Sequence, residues 1–266
     1  MQLVDIGANL THESFEHDFE EVLESAQAAG VAHIMLTGTD LPSSEAAMRM
    51  AERRPEMFSS TVGFHPHIAQ SVSDADLQAA ADLTDSPTVV AVGETGLDFN
   101  RNFSPASAQR RVFEAHLELA AATGKPMFLH QRDAHGDFMP LLSRYRGRVS
   151  GGVVHCFTDN ETALRDYLEL DMYIGITGWI CDERRGQELQ RLVRLIPDER
   201  LLIETDAPYL LPRTLSPRPS GRRNEPKYLP AVLEQIAACR EQPAQQLAEA
   251  TTANARRLFG LAGFAA

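Results

Sequence analysis

No apolar run in this sequence reaches the ~18–20 residues that a membrane-spanning helix needs. It opens MQLVDIGANL, without a basic stretch leading into an apolar core. No secretory leader is therefore expected, and a cytoplasmic location follows. Cysteine is scarce: Cys156, Cys181 and Cys239 form an odd set with no CxxC. That argues against a disulfide framework and fits a reducing compartment. No GxGxxG or GxxxxGK[ST] follows an apolar run, so a dinucleotide fold or a P-loop is not expected. Positive charge is also short, with 25 Lys and Arg against 37 Asp and Glu and a net charge of −12. Bulk electrostatics therefore argue against coating by nucleic acid. An acidic lining is, however, what a hard divalent cation requires.

What the chain has is an alternating pattern. Eight β-branched or apolar runs occur at 2–6, 32–37, 58–64, 88–94, 126–130, 151–156, 172–177 and 201–206. They read as strands. Amphipathic segments lie near 14–29, 41–54, 73–84, 105–122, 134–145, 160–170, 183–196 and 226–239, and 243–259 reads as a closing helix. Eight such units predict a (β/α)8 TIM barrel, with a doubly wound open sheet as the alternative. The count of eight and the missing phosphate loop favour the barrel. No linker or break in composition appears, so residues 1–266 are expected to form one domain.

In that fold the site lies at the C-terminal ends of the strands. The polar residues there are Asp5 and Asn9, His65 and His67, Glu94 and Asp98, His130 and Arg132, His155, and Glu204 and Asp206. Strand alternation turns Glu94, His130, His155 and Asp206 toward a common mouth. Carboxylates and imidazoles without thiolate make a divalent metal site suited to Mg, Mn or Zn. A lone strand-end histidine is more often structural, but four acids or imidazoles from four strands outweigh that alternative. His65 stays open between substrate contact and structural role. His67, beside Pro66, reads as structural. His12, His17, His33 and His116 read as surface or core residues, and His135 as a helix cap. Glu204 reads as a neighbour or orienter of a ligand. Cys156 should point away from the mouth as a buried thiol.

The stretch 207–223 carries Arg213, Arg218, Arg222 and Arg223 and no acid. Arg184 and Arg185 follow the seventh strand, with Trp179 and Tyr209 nearby. Two readings remain open. One is a basic, aromatic rim for a phosphodiester. The other is a set of ordinary ion pairs with Trp179 in the core.

GFHPH (63–67), VGETGLDFNRNFS (92–104), FLHQRDA (128–134), HCFT (155–158), YIGITGWICDERRG (173–186) and IETDAPYLLPR (203–213) together resemble the TatD family of metal-dependent deoxyribonucleases. The similarity runs along essentially the whole chain. It implies a TIM barrel that hydrolyses phosphodiester bonds with a divalent metal, usually Mg. It further implies 3′–5′ exonuclease action on single-stranded DNA and RNA and an association with repair of oxidative damage. Carried over by position, the metal ligands are Glu94, His130, His155 and Asp206, with Glu94 bridging where two metals bind, and His65 lines the cleft. Asp206 is then the expected general base, acting with Glu94. Arg132, Arg213, Arg222 and Arg223 are expected to hold substrate phosphates. A metallohydrolase of a small ester, amide or lactone is the competing function. One departure stands out. Many members carry His-x-His on the first strand, where this chain has Gly7 and Asn9. One firmly held metal, most suitably Mg, is expected, with a second recruited by substrate phosphate. A chain of this size is expected to work as a monomer.

Overall fold

The apolar runs form eight parallel strands in a computed structural model that describes residues 1–261. They are β1 (Leu3–Ala8), β2 (Val31–Leu36), β3 (Phe58–Val62), β4 (Val89–Asp98), β5 (Met127–Arg132), β6 (Gly152–Val154), β7 (Tyr173–Ile176) and β8 (Leu201–Ile203). Each pairs with the next in sequence. The cylinder closes through a parallel bridge between Ala8 and Ala207. Around that seam the Asp206 N–H donates to the Gly7 carbonyl at 2.8 Å, and the Asn9 N–H to the Ala207 carbonyl at 2.7 Å. The result is the TIM barrel that the alternation predicts.

The intervening helices are α1 (Phe19–Ala28), α2 (Leu41–Arg53), α3 (Asp74–Leu83), α4 (Ala106–Thr123), α5 (His135–Tyr145), α6 (Glu161–Glu169) and α7 (Gln187–Leu192), followed by α8 (Leu229–Arg240) and α9 (Ala244–Phe259). Because strands buried on both faces need apolar residues in and out, there are two apolar layers. Leu36, Leu97, Leu129 and Ile176 pack outward with Phe113, Phe138 and Leu164 of the helices. Val4, Ile6, Met35, Phe128, Val153 and Leu202 fill the cylinder. Ala255 and Phe259 of α9 join the inner layer, and the Thr252 hydroxyl bonds the Gln2 carbonyl at 2.8 Å. The last helix thus seals the end where the strands begin and leaves the opposite mouth open. Among the described residues no helix is long and apolar enough to cross a membrane.

Several boundaries differ from the pattern. β4 runs four residues past Glu94, with a break in register between Val92 and Thr95. Gly93 makes the break possible: it sits at φ +144°, and a Cβ there would collide with the Phe128 carbonyl. β6 and β8 stop early, so His155 and Asp206 stand in the loops just beyond them. The segment expected as a helix from 14 begins as a 3-10 turn, Glu13–Phe15, before α1. The segment expected from 183 starts late because the Asp182 carboxylate accepts from the Arg184 and Arg185 backbone N–H groups and holds a turn. Residues 262–266 of the expected domain lie outside the described residues.

Candidate metal centre

The open mouth holds a cavity of about 540 Å³ whose walls include Asn9, His65, Glu94, His130, His155 and Asp206. Glu94 stands at its centre. Its Oε1 lies 2.8 Å from His155 Nε2, 3.0 Å from His130 Nδ1 and 3.4 Å from His65 Nε2. The donor atoms of His65, Glu94 and His130 lie within 4.8 Å of one another, close enough to share one cation. Burial pushes the Glu94 carboxyl up, but the imidazoles of His155, His65 and His130 outweigh it and hold it well below the usual carboxylate range.

Each imidazole has an acid behind or beside it. Asp98 Oδ2 lies 2.8 Å from His67 Nε2 and 3.4 Å from His130 Nε2. Burial opposes ionisation of Asp98, yet its bonds to His130, the Arg101 N–H and His67 keep it far below its ordinary range. Burial pulls the His130 ring down, and bonds to Asp98 and Glu94 more than reverse this. For His65, burial outweighs the charge of Glu94 beside it and drives the ring down to about 3. Behind His155, Glu204 Oε2 approaches Nδ1 to 3.4 Å. That is ion-pair range without the alignment of a hydrogen bond, since neither atom has a bonded partner. Burial opposes charge on His155, but Glu94 and Glu204 hold its ring well above the ordinary value.

Glu204 is fully buried, and its Oε1 accepts the Cys156 N–H at 2.6 Å. Two glycines make room for it. A Cβ on Gly7 would stand 2.6 Å from Oε2, and one on Gly175 would stand 2.8 Å from Oε1. The Gly7 position is therefore taken up by a carboxylate reaching across from the eighth strand. Asn9, the second departure, turns its amide nitrogen to Asp206 Oδ1 and the Ala207 carbonyl, both at 3.2 Å. It acts as a donor that fixes Asp206.

Beneath lies Asp5, fully buried, accepting from the Thr205 N–H at 2.9 Å and the Thr205 hydroxyl at 2.5 Å. Burial raises Asp5 to about 7. Burial, with the charges of Glu94 and Glu204, raises Asp206 to about 8. This crowding of buried acids, held back from ionising until a positive charge arrives, together with convergent imidazoles and no thiolate donor among them, fits a divalent cation. The paired acids behind the histidines fit the usual support of metal-bound imidazoles.

Other expectations fall differently. His67 lines the cavity rather than merely bracing the turn. Cys156 also lines it, because β6 has ended and Cys156 takes φ +46°, so strand alternation no longer applies. Its Sγ lies 3.6 Å from the Thr177 hydroxyl, and burial pushes the thiol up to about 12. His135 does not cap α5; it bonds Asp166 and the Tyr167 hydroxyl at 2.8 and 2.9 Å. His33 and His116 are buried core residues, bonded to the Ser59 hydroxyl and the Phe64 N–H.

None of Arg132, Arg213, Arg222 and Arg223 lines the cavity. Arg213 is paired with Glu183 at 2.7 Å. Arg223 is paired with Asp18 and Glu225 at 2.6 and 3.0 Å and lies over Phe15. Arg132 and Arg222 are exposed. The arginine that does line the cavity is Arg101, beside Phe103, in the loop after β4. Sequence reasoning missed both. Their signal was the polar NRN following the Asp98 that accepts the Asn100 and Arg101 N–H groups. Trp179 is half-buried under the Arg185 guanidinium, 4.5 Å from its ring.

Comparison with known proteins agrees in family and fold. The family described as TatD related DNase matches residues 4–260. A Citrobacter rodentium protein named 3′-5′ ssDNA/RNA exonuclease TatD is 52% identical over 259 residues, covering 97% of this chain and 98% of its own. A Klebsiella pneumoniae protein of the same name is 51% identical with the same coverage. Among solved structures, a TatD family hydrolase from Entamoeba histolytica superposes with a TM-score of 0.89 at 26% identity, covering 98% of this chain and 99% of its own.

Proposed function

We propose a function from one premise: the chain belongs to the TatD related DNase family. The protein is a divalent-metal-dependent nuclease, a 3′–5′ exonuclease on single-stranded DNA and RNA. The observation that carries this is the convergence of three imidazoles on the single oxygen Glu94 Oε1 at the barrel mouth. Near-complete alignment with relatives named for that activity supports it.

Glu94, His65, His130, His155 and Asp206 would hold the metal. Bound there, a divalent ion supplies polarisation of a phosphate oxygen and a lowered pKa for water. Acid oxygens suit Mg, and imidazoles suit Mn or Zn; Mg is our working choice. Asp206 is the general base. Asn9 occupies its Oδ1, which leaves Oδ2 to receive the proton of the attacking water. Asp98 and Glu204 keep His130 and His155 turned toward Glu94. Arg101, which lines the cavity, and the exposed Arg132 and Arg222 would meet the substrate phosphates. One chain carries all of these groups, so we read the protein as acting as a monomer in the cytoplasm.

The test is digestion of 5′-labelled single-stranded DNA with Mg, Mn, Zn or EDTA, beside His130→Ala and Asp206→Asn. A metal-dependent ladder shortening from the 3′ end, lost in both variants, is expected. Full activity in Asp206→Asn would remove Asp206 from the reaction. No cleavage with any of the three ions would overturn the nuclease reading.

A further inference from the structure

Among the described residues four large hydrophobic side chains are exposed: Met1, Phe103, Leu195 and Tyr209. Two of the four, Phe103 at 63% and Tyr209 at 52%, stand on the wall of the metal cavity. They come from opposite parts of the chain, the loops after β4 and β8. Neither is a loose side chain on a loose loop. On one side of Phe103, Asp98 Oδ1 accepts the Asn100 and Arg101 N–H groups at 2.9 and 2.8 Å. On the other, the buried Ser104 hydroxyl donates to the His67 carbonyl at 2.8 Å and accepts the Gln70 N–H at 3.0 Å. The Phe103 ring meets the His67 ring edge to face at 4.8 Å. Tyr209 is pinned by its N–H to the Asp206 carbonyl at 2.9 Å, with its ring edge to face with His12.

Both platforms are thus tied to the proposed ligands. Phe103 is linked through His67 and Asp98 to His130, and Tyr209 through Asp206 itself. A flat apolar surface held out into water beside a cation site is matched by a flat apolar group attached to an anion. A nucleobase on a phosphodiester is such a group, provided its face is free. Inside a duplex both faces are covered, and at its end only the outer face of the last pair is free, so successive bases can reach two rings only when they are unpaired. Trp179 offers no comparable face, since Arg185 already covers it.

We infer that Phe103 and Tyr209 are base-stacking platforms that grip the unpaired bases at the end of a strand and set the preference for single strands. This rests on the nuclease reading for its occupant. Sequence-independent stacking of this kind is worth about 5- to 150-fold in affinity per base.

Binding is read by fluorescence anisotropy in Mg with strands whose 3′-terminal linkages are phosphorothioates, which slows turnover while the cation stays in place. The probes are a 5′-labelled single-stranded oligonucleotide and the same strand with its two 3′-terminal bases replaced by tetrahydrofuran. Wild type should bind the intact strand at least about 5-fold more tightly. Phe103→Ala with Tyr209→Ala should bind both strands alike, and Phe103→Trp with Tyr209→Phe should restore the difference. Retention of the full difference in the alanine variant, or none in wild type, overturns the inference. Cleavage is scored separately on strands without phosphorothioates. Cleavage with base-independent binding sinks the platforms and spares the nuclease; base-dependent binding without cleavage does the reverse.

Discussion

Gly7→Ala should be a costly single-methyl addition because it drives into the buried carboxylate behind the metal centre. The new Cβ would stand 2.6 Å from Glu204 Oε2 and 3.0 Å from the Phe128 ring. Glu204 cannot back away, because its other oxygen already fills the space left by Gly175 and accepts the Cys156 N–H. Overpacking of a tight core costs about 1–3 kcal/mol. Losing a charge-assisted bond to a buried carboxylate adds about 1.5–3 kcal/mol. Part of each is relieved by adjustment, so a loss of roughly 3 kcal/mol is expected, or a fall of about 6–12 °C in Tm for a chain of this size. The assay is urea and thermal unfolding in EDTA, so that metal binding does not contribute. Gly136→Ala is the control: nothing lies within 4 Å of its Cβ position and it sits in α5. It should be neutral or stabilising. In a Glu204→Ala background the cost of Gly7→Ala should shrink below about 1 kcal/mol, since the clashing carboxylate is gone. A Gly7→Ala variant within about 0.5 kcal/mol of wild type would refute the wedged Glu204.

Two further outcomes are expected. His33 and His116 are buried and pulled by desolvation from an ordinary 6.5 to about 4. Both are neutral in folded and unfolded chains above pH 6.5; between 6.5 and 4 only the unfolded chain takes up their protons, so stability is lost as pH falls through that window. The steepest loss from the pair is about 2.7 kcal/mol per pH unit. His116→Gln should remove about half of it, and an unchanged acid slope would contradict the assignment. Asp98→Asn withdraws the charge behind His67 and His130 while keeping the shape. Calorimetric titration with Mn should show about 10- to 100-fold weaker binding, and wild-type affinity would count against Asp98 as an orienter.

The barrel was legible because eight apolar runs alternate with amphipathic ones, and periodicity survives small errors at the ends. Glu94, His130, His155 and Asp206 were legible as polar residues interrupting those runs at one end. What could not be read was anything set by a break in period. The shift after Val92 and the early ends of β6 and β8 decide which way Cys156 faces. No alternation rule sees them. His67 and Asp98 gain their place from each other across 31 positions, a pairing that adjacency does not reveal. Gly7 and Asn9 looked like losses in the sequence. The missing side chain is where Glu204 reaches in, and the amide is a clamp on Asp206. The arginines of 207–223 were visible as charge, but their ion pairs with Asp18, Glu183 and Glu225 were not.

The seam that closes the cylinder is also where the proposed base is held, for Asn9 and Asp206 meet across 197 positions of chain. During synthesis this has a timing consequence. A nascent chain emerges with its histidines and Glu94 first, yet has neither Asp206 nor a closed cylinder until its eighth strand has left the ribosome. With Asp206 as the proposed base, such a chain would be inert for most of its own translation, when it lies closest to the message encoding it. Stalled chains ending before β8 should therefore leave single-stranded RNA intact, while release of the finished chain switches hydrolysis on.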